Sequence, residues 1–121
     1  MLSIHRHLRV FVATAPLDMR GSFDAMAGRV RRLGLEPVDG ALYVFFSRSR
    51  TMLAILHFDG SGWCLFRKRL ERGTFQVPTV APGADRVLVD GRVLASIVDG
   101  IDLAAPRRRW FQQARPVEKS G

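Results

Sequence analysis

The stretch Ala41–Glu71, "ALYVFFSRSRTMLAILHFDGSGWCLFRKRLE", decides how the chain is read. It holds three apolar segments rich in β-branched and aromatic residues, 41–47, 51–58 and 63–71. "RSR" (48–50) links the first two, and "DGSG" (59–62) links the last two. Glycine supplies the positive φ of a tight hairpin turn, so the second link is a strong hairpin signal. The three segments therefore read as an antiparallel meander. Strand residues alternate between faces. Trp63, Leu65, Arg67, Arg69 and Glu71 share one face of the third strand; Cys64, Phe66, Lys68 and Leu70 share the other. Both faces are apolar up to Phe66, so this half is covered on both sides. Beyond Phe66 the strand projects past the core and carries the charged block Arg67-Lys68-Arg69 outward. In a meander the first link lies at the same edge as the end of the third strand. Arg48 and Arg50 are thereby expected to join the block in one basic rim.

Toward the N-terminus, "LRVFVAT" (8–14) is a short β-branched segment closed by Pro16, and it reads as a strand. Asp18 is taken as the N-cap of a helix. Phe23, Met26, Ala27, Val30 and Leu33 fall on one helical stripe, with Arg20, Asp24, Arg31 and Arg32 away from it. Gly34 ends that helix, and a loop runs to Gly40. Toward the C-terminus, "RGTFQVP" (72–78) is extended and "DRVLVD" (85–90) is a further strand. Asp90 caps a second helix whose stripe is Val93, Leu94, Ile97 and Val98. From Pro106 the chain loses periodicity and reads as a mobile basic tail. The expected architecture is α+β: an antiparallel sheet of about four or five strands with two helices packed on it. It forms a single compact domain over 8–105, followed by the tail 106–121. No internal repeat is visible.

With 121 residues, 47% of them apolar, one core can form. Nineteen basic residues against eleven acidic ones give a net charge of +8. Nearly all the basic residues are Arg, whose fork binds phosphate bidentately. Such a charge favours an acidic partner, nucleic acid above all. Residues 41–80 hold six of the basic and two of the acidic residues, which is half the net charge in a third of the chain. The lone Cys64 excludes an internal disulfide and any multi-cysteine zinc site, and it reads as a small buried hydrophobe. No apolar run approaches the ~20 residues that span a membrane. "VFVA" followed by Pro16 makes a poor signal peptide, so a reducing, cytoplasmic setting is expected.

Catalytic and metal constellations are sparse. His5 and His7 form an H-x-H pair, with Asp18 as a conceivable third ligand, but metal sites need three or four well-placed groups. His57 reads as a core or surface residue. Asp18 and Asp59 are explained by a cap and a turn, and Glu71 by pairing with Arg69 or Arg72. No phosphate-binding glycine loop and no nucleophile elbow is present. No catalytic residue, metal or cofactor is expected. The enzyme alternative is a Mg²⁺-dependent nuclease built on Asp18, Asp59 or Glu71, which share no telling spacing.

Three pieces then occur in a telling order: "PLDMRGSFDAMAGRV" (16–30), "GALYVFFSRSRTMLAILHFDGSGWCLFRKRLERGTFQVP" (40–78) and "LASIVDGID" (94–102). Together they resemble the TnpB-type accessory protein of the insertion sequence sixty-six family, the product of that element's second open reading frame. Asp18-Met19-Arg20, "FF-x-R" at 45–48 and "KRLERG-x-F" at 68–75 carry the resemblance most specifically. The chain departs from the pattern at Gly21, where the family usually has a basic residue. It departs again in "LAILHFDG", which lacks a lysine common there. The resemblance implies a non-catalytic accessory protein that supports transposition beside a DDE transposase and a second small accessory protein.

Transposition gives the positive charge a destination. The expected DNA contacts, mainly to phosphates, are Arg48, Arg50, Arg67, Lys68, Arg69 and Arg72, with Arg20 at the helix start. No helix-turn-helix, zinc finger or ribbon signature points to base reading. The competing structural reading pairs these residues with Asp18, Asp24, Asp59 and Glu71. Arg20 and Glu71 fit both readings. A protein-interaction module is the alternative, docking the transposase through Trp63 and through Trp110 and Phe111 of the tail. Phe45 and Phe46 are adjacent in a strand with two covered faces and read as core.

Overall fold

The computed structural model describes residues 8–100. The expected tail with Trp110 and Phe111, and the His5–His7 pair, lie outside the described residues. Five strands and two helices follow in the order β1 (Val10–Ala13), α1 (Phe23–Arg32), β2 (Leu42–Phe46), β3 (Met52–Phe58), β4 (Trp63–Arg69), β5 (Arg86–Val89) and α2 (Gly91–Val98). A 3₁₀ turn, Pro37–Asp39, precedes β2. The strands form one sheet in the order β4-β3-β2-β1-β5.

The meander expected over 41–71 is present. Phe46 lies opposite Leu53 and Leu42 opposite His57 in the first pair. Met52 lies opposite Arg69 and Phe58 opposite Trp63 in the second. The 59–62 turn closes on Asp59, whose carboxylate accepts from the Ser61 and Gly62 N–H groups, each at 2.9 Å. Gly60 takes the positive φ of 100° that this turn requires. The sheet is not wholly antiparallel: β1 pairs with β2 in parallel, Val10 opposite Leu42. The reason is that α1 lies between them in the chain and carries it back across the sheet, as a parallel pair demands. β5 then adds antiparallel to the other side of β1.

Each helix covers one face of the sheet. On one face Met26, Ala27 and Val30 of α1 pack with Tyr43, Phe45, Ala54 and Leu56. On the other, Leu94 and Ile97 of α2 pack with Val10, Val12, Leu42, Val44, Leu53, Ile55 and the loop residue Phe75. The central strand β2 is consequently buried along its full length. Phe45 and Phe46 both belong to this core, one on each face.

The helix starts separate an expectation that holds from one that does not. Asp90 caps α2 by accepting from the Val93 N–H at 2.9 Å. Asp18 does not cap α1. That role falls to Ser22, whose hydroxyl accepts from the Ala25 N–H at 3.3 Å. Asp18 sits four residues too early and instead binds Arg20. Phe23, placed on the buried stripe from its spacing, is 41% exposed at the first turn of α1. Cys64, expected to be buried, is exposed because β4 is an edge strand with a neighbour on one side only.

Candidate nucleic-acid interface

The register of the meander brings the basic clusters together. β2 ends at Phe46, and the 47–51 turn is closed by the Ser47 N–H donating to the Met52 carbonyl at 3.0 Å. The segment after β4 is then stitched back onto this turn. Leu70 N–H donates to the Thr51 carbonyl at 2.9 Å, and Phe75 N–H donates to the Arg50 carbonyl at 2.7 Å. The loop after β1 arrives at the same end, where the Leu17 N–H donates to the Phe46 carbonyl at 2.9 Å. One end of the sheet thus carries Arg20, Arg48, Arg50, Arg67, Lys68, Arg69 and Arg72.

These seven cations are not equivalent. Arg20 grips Asp18 through two side-chain bonds of 3.0 and 2.8 Å. The side-chain bonds from Arg20 lead the causes that hold the Asp18 carboxyl down at about 2. The structural reading holds for this residue. Lys68 crosses to the α2 face, where its ammonium donates to the Val98 carbonyl at 2.7 Å. A cation there meets the negative end of the α2 dipole and satisfies a carbonyl that has no partner within the helix. Arg67 lies on the α1 face and donates to the Gly21 carbonyl at 3.3 Å.

Arg48, Arg50, Arg69 and Arg72 are exposed, and among the described residues they enter no salt bridge. Glu71, expected to pair with Arg69 or Arg72, forms none either among the described residues. The ion pairs away from this end are Arg9–Asp39 and Arg31–Glu36; Arg86–Asp85 lies at the far β5 edge of the sheet, where Arg86 stands opposite Ala13. Their acids are engaged by arginines outside the rim.

Arg50 adds a backbone observation. Its φ is 61°, and it is the one non-glycine residue with positive φ among the described residues. The left-handed conformation costs an L-residue about 1 kcal/mol relative to glycine. The turn therefore holds an arginine where glycine would sit at lower cost.

Beside the rim lies a groove of about 620 Å³ between the 16–20 loop and the 47–52 turn. Its apolar wall includes Leu17, Met19 and Met52; its polar wall is Ser47, Arg48, Ser49 and Thr51. The three hydroxyls form a chain, Ser47 to Ser49 at 3.3 Å and Ser49 to Thr51 at 2.8 Å. This groove was not foreseen. The alternation Ser47, Ser49, Thr51 was visible in the sequence, but the loop that closes the groove comes from thirty residues upstream.

Trp63 is half-buried, packs edge-on against Phe58 at 5.0 Å and joins the α1-side core. His57 shares a 3.3 Å hydrogen bond between its Nδ1 and the Ala41 carbonyl. Cys64 lies 3.5 Å from Asp59, and desolvation together with that carboxylate raises its thiol pKa, which suppresses the thiolate. Among the described residues no group of three or more His, Cys, Asp or Glu is placed to hold a metal ion. Among them, too, no helix is long and apolar enough to cross a membrane.

The family model described as IS66 Orf2 like protein matches residues 8–108. The chain belongs to the IS66 Orf2-like family. It is accordingly a transposition-associated accessory protein. Two relatives come from Sinorhizobium fredii (strain NBRC 101917 / NGR234). "Uncharacterized protein y4hO" is 40% identical over 111 residues, covering 91% of this chain and 95% of the relative. "Uncharacterized protein y4jC" is 32% identical over 118 residues, covering 97% and 99%. No solved structure matches the chain. The IS66 Orf2-like match spans every described strand and helix, so the basic end lies wholly inside the family's domain.

Proposed function

We propose that this IS66 Orf2-like protein supports transposition without catalysing it, by laying the basic end of its sheet on the DNA phosphate backbone. The transposase complex then assembles on the DNA that it holds. The observation that carries this reading is the gathering of Arg48, Arg50, Arg69 and Arg72 at one end, exposed and outside any salt bridge among the described residues. Two structural facts support it. Arg69 lies opposite Met52 across the β3–β4 ladder, which sets the rim against the 47–51 turn. Arg50 sits in a backbone conformation that favours glycine. Arg67 stands at the margin of the rim, and Arg20 and Lys68 act mainly on the fold. With about four phosphate contacts, log K should fall with log salt at a slope of about −3.6. This suits a factor that binds DNA firmly only when a partner is present.

The test is binding of the purified protein to DNA from the element's end and to scrambled DNA, over a salt series. The reading expects similar affinity for both DNAs and a steep salt dependence. It also expects a marked loss when Arg48 and Arg69 are both replaced by Ala. Absence of binding at low salt by folded protein would transfer the rim to contacts with the transposase.

A further inference from the structure

We infer that the groove beside the rim receives a single unpaired nucleotide of the bound DNA, at a strand end or an opened step; this rests on the phosphate-binding reading of the rim. The volume of about 620 Å³ is in the range of small-ligand sites. Proton counting defines what the polar wall wants. Ser47, Ser49 and Thr51 own three hydroxyl protons, and two are consumed in the hydroxyl chain. Ser47 Oγ also accepts from the Met52 N–H at 3.1 Å. One hydroxyl proton is left over, at Thr51, Ser49 or Ser47 depending on which way each bond runs. In the open groove water accepts it, and a phosphate oxygen can take that water's place. Arg48 adds guanidinium donors on the same wall. The guest is therefore rich in acceptors and negatively charged.

The apolar part of the lining asks for something different. Leu17, Met19 and Met52 present apolar surface, and thioether sulfurs make favourable contacts with aromatic rings. A nucleotide has both parts, a phosphate for the hydroxyl and Arg48 wall and a base for the methionine wall. Asp18 also lines the groove, but both its oxygens are taken by Arg20, so the phosphate is directed to Arg48. Met52 stands cross-strand from Arg69, so the neighbouring phosphates of the same strand run onto the rim. Within a duplex the base is stacked and cannot enter; it must first leave the stack.

The experiment compares a blunt duplex with the same duplex bearing a short single-stranded overhang, at low salt, by fluorescence anisotropy. The wild-type protein should prefer the overhang by about fivefold to tenfold, the worth of roughly one stacked base. Ser49→Ala/Thr51→Ala and, separately, Met19→Ala should each lower overhang affinity toward the blunt-duplex value, with melting curves confirming that they fold. Equal wild-type binding of the two DNAs overturns the groove inference and leaves the rim reading standing. Absence of binding to either overturns the rim reading. An overhang preference that survives in both variants assigns it elsewhere and overturns the groove. Competition by an acidic peptide but not by a mononucleotide would make the guest a protein side chain and overturn the nucleotide.

Discussion

The Phe75 N–H donates to the Arg50 carbonyl at 2.7 Å, which fixes the chain after β4 against a turn that precedes it by 25 residues. The bond holds Arg50 in its left-handed conformation from outside the turn. Stability and binding separate at this residue. Arg50→Gly should be more stable than the parent by about 1 kcal/mol in denaturant unfolding, because relief of strain exceeds the cost of the freer unfolded chain. Arg50→Ala keeps the strain and should be less stable than Arg50→Gly by about 1 kcal/mol. Both should lose the same DNA affinity. Equal stability of the two variants would remove strain from the account.

The salt slope distinguishes phosphate contacts from scaffolding. Arg48→Ala and Arg69→Ala should each make the slope shallower by about 0.9. Arg9→Ala, which breaks the pair with Asp39 near the opposite end of the sheet, should leave it unchanged. A slope change for Arg9→Ala as large as for the rim residues would point to net charge rather than to a defined interface.

Lys68 should behave as a structural residue. Lys68→Met keeps the aliphatic stem but removes the bond to the Val98 carbonyl and the charge at the C-terminus of α2. Stability should fall by about 1 kcal/mol while the salt slope stays within error of the parent. A lower slope at unchanged stability would return Lys68 to the DNA contacts.

Phe75 is 1% exposed and packs against Phe46 with ring centroids 6.1 Å apart. Phe75→Ala leaves a cavity between the sheet and α2, at a cost of about 3–5 kcal/mol. Thermal unfolding reads this directly. A small loss would mean that the 70–75 segment collapses into the space.

Acid should loosen the 59–62 hairpin in a defined window. The Ser61 N–H, the Gly62 N–H and the Ser61 hydroxyl hold the Asp59 carboxyl down at about 2, against an ordinary 3.8. Between these values the unfolded chain binds the proton and the folded one does not, so stability rises with pH there. The contribution is full above about 4 and is lost as pH falls toward 2. The stability gap between the parent and Asp59→Ala should therefore close across that window. A gap independent of pH would show that the carboxylate's charge has no part in the turn.

Legibility followed locality. The three strands of 41–71 could be read because alternation and an Asp-Gly turn are written within a few residues of each other. Asp90 could be read as a cap because it directly precedes an apolar stripe. The expected cap Asp18 gives way to Ser22 because α1 starts at Phe23, a boundary that the apolar stripe does not fix. The exposure of Cys64 depends on β4 being an edge strand, a property of sheet order. The parallel pairing of β1 depends on where α1 carries the chain. The juxtaposition of the rim's two clusters was legible because the β2–β3 link and the end of β4 fall at one edge of a meander, whereas the use of Lys68 depends on a helix thirty residues away.

The position of β1 between β2 and β5 has a consequence for how the chain is made. β1 is synthesised first, yet its neighbours are 42–46 and 86–89. The β2–β4 meander can close on its own from contacts between adjacent segments, but β1 must wait with one backbone edge open until the chain has been extended through Val89. Any nascent or truncated product ending before residue 86 presents that edge, lined by Val10 and Val12, to whatever strand it meets. Completion of β5 is therefore the step that covers the β1 edge and leaves the four-residue β5 and the charged β4 as the outer strands.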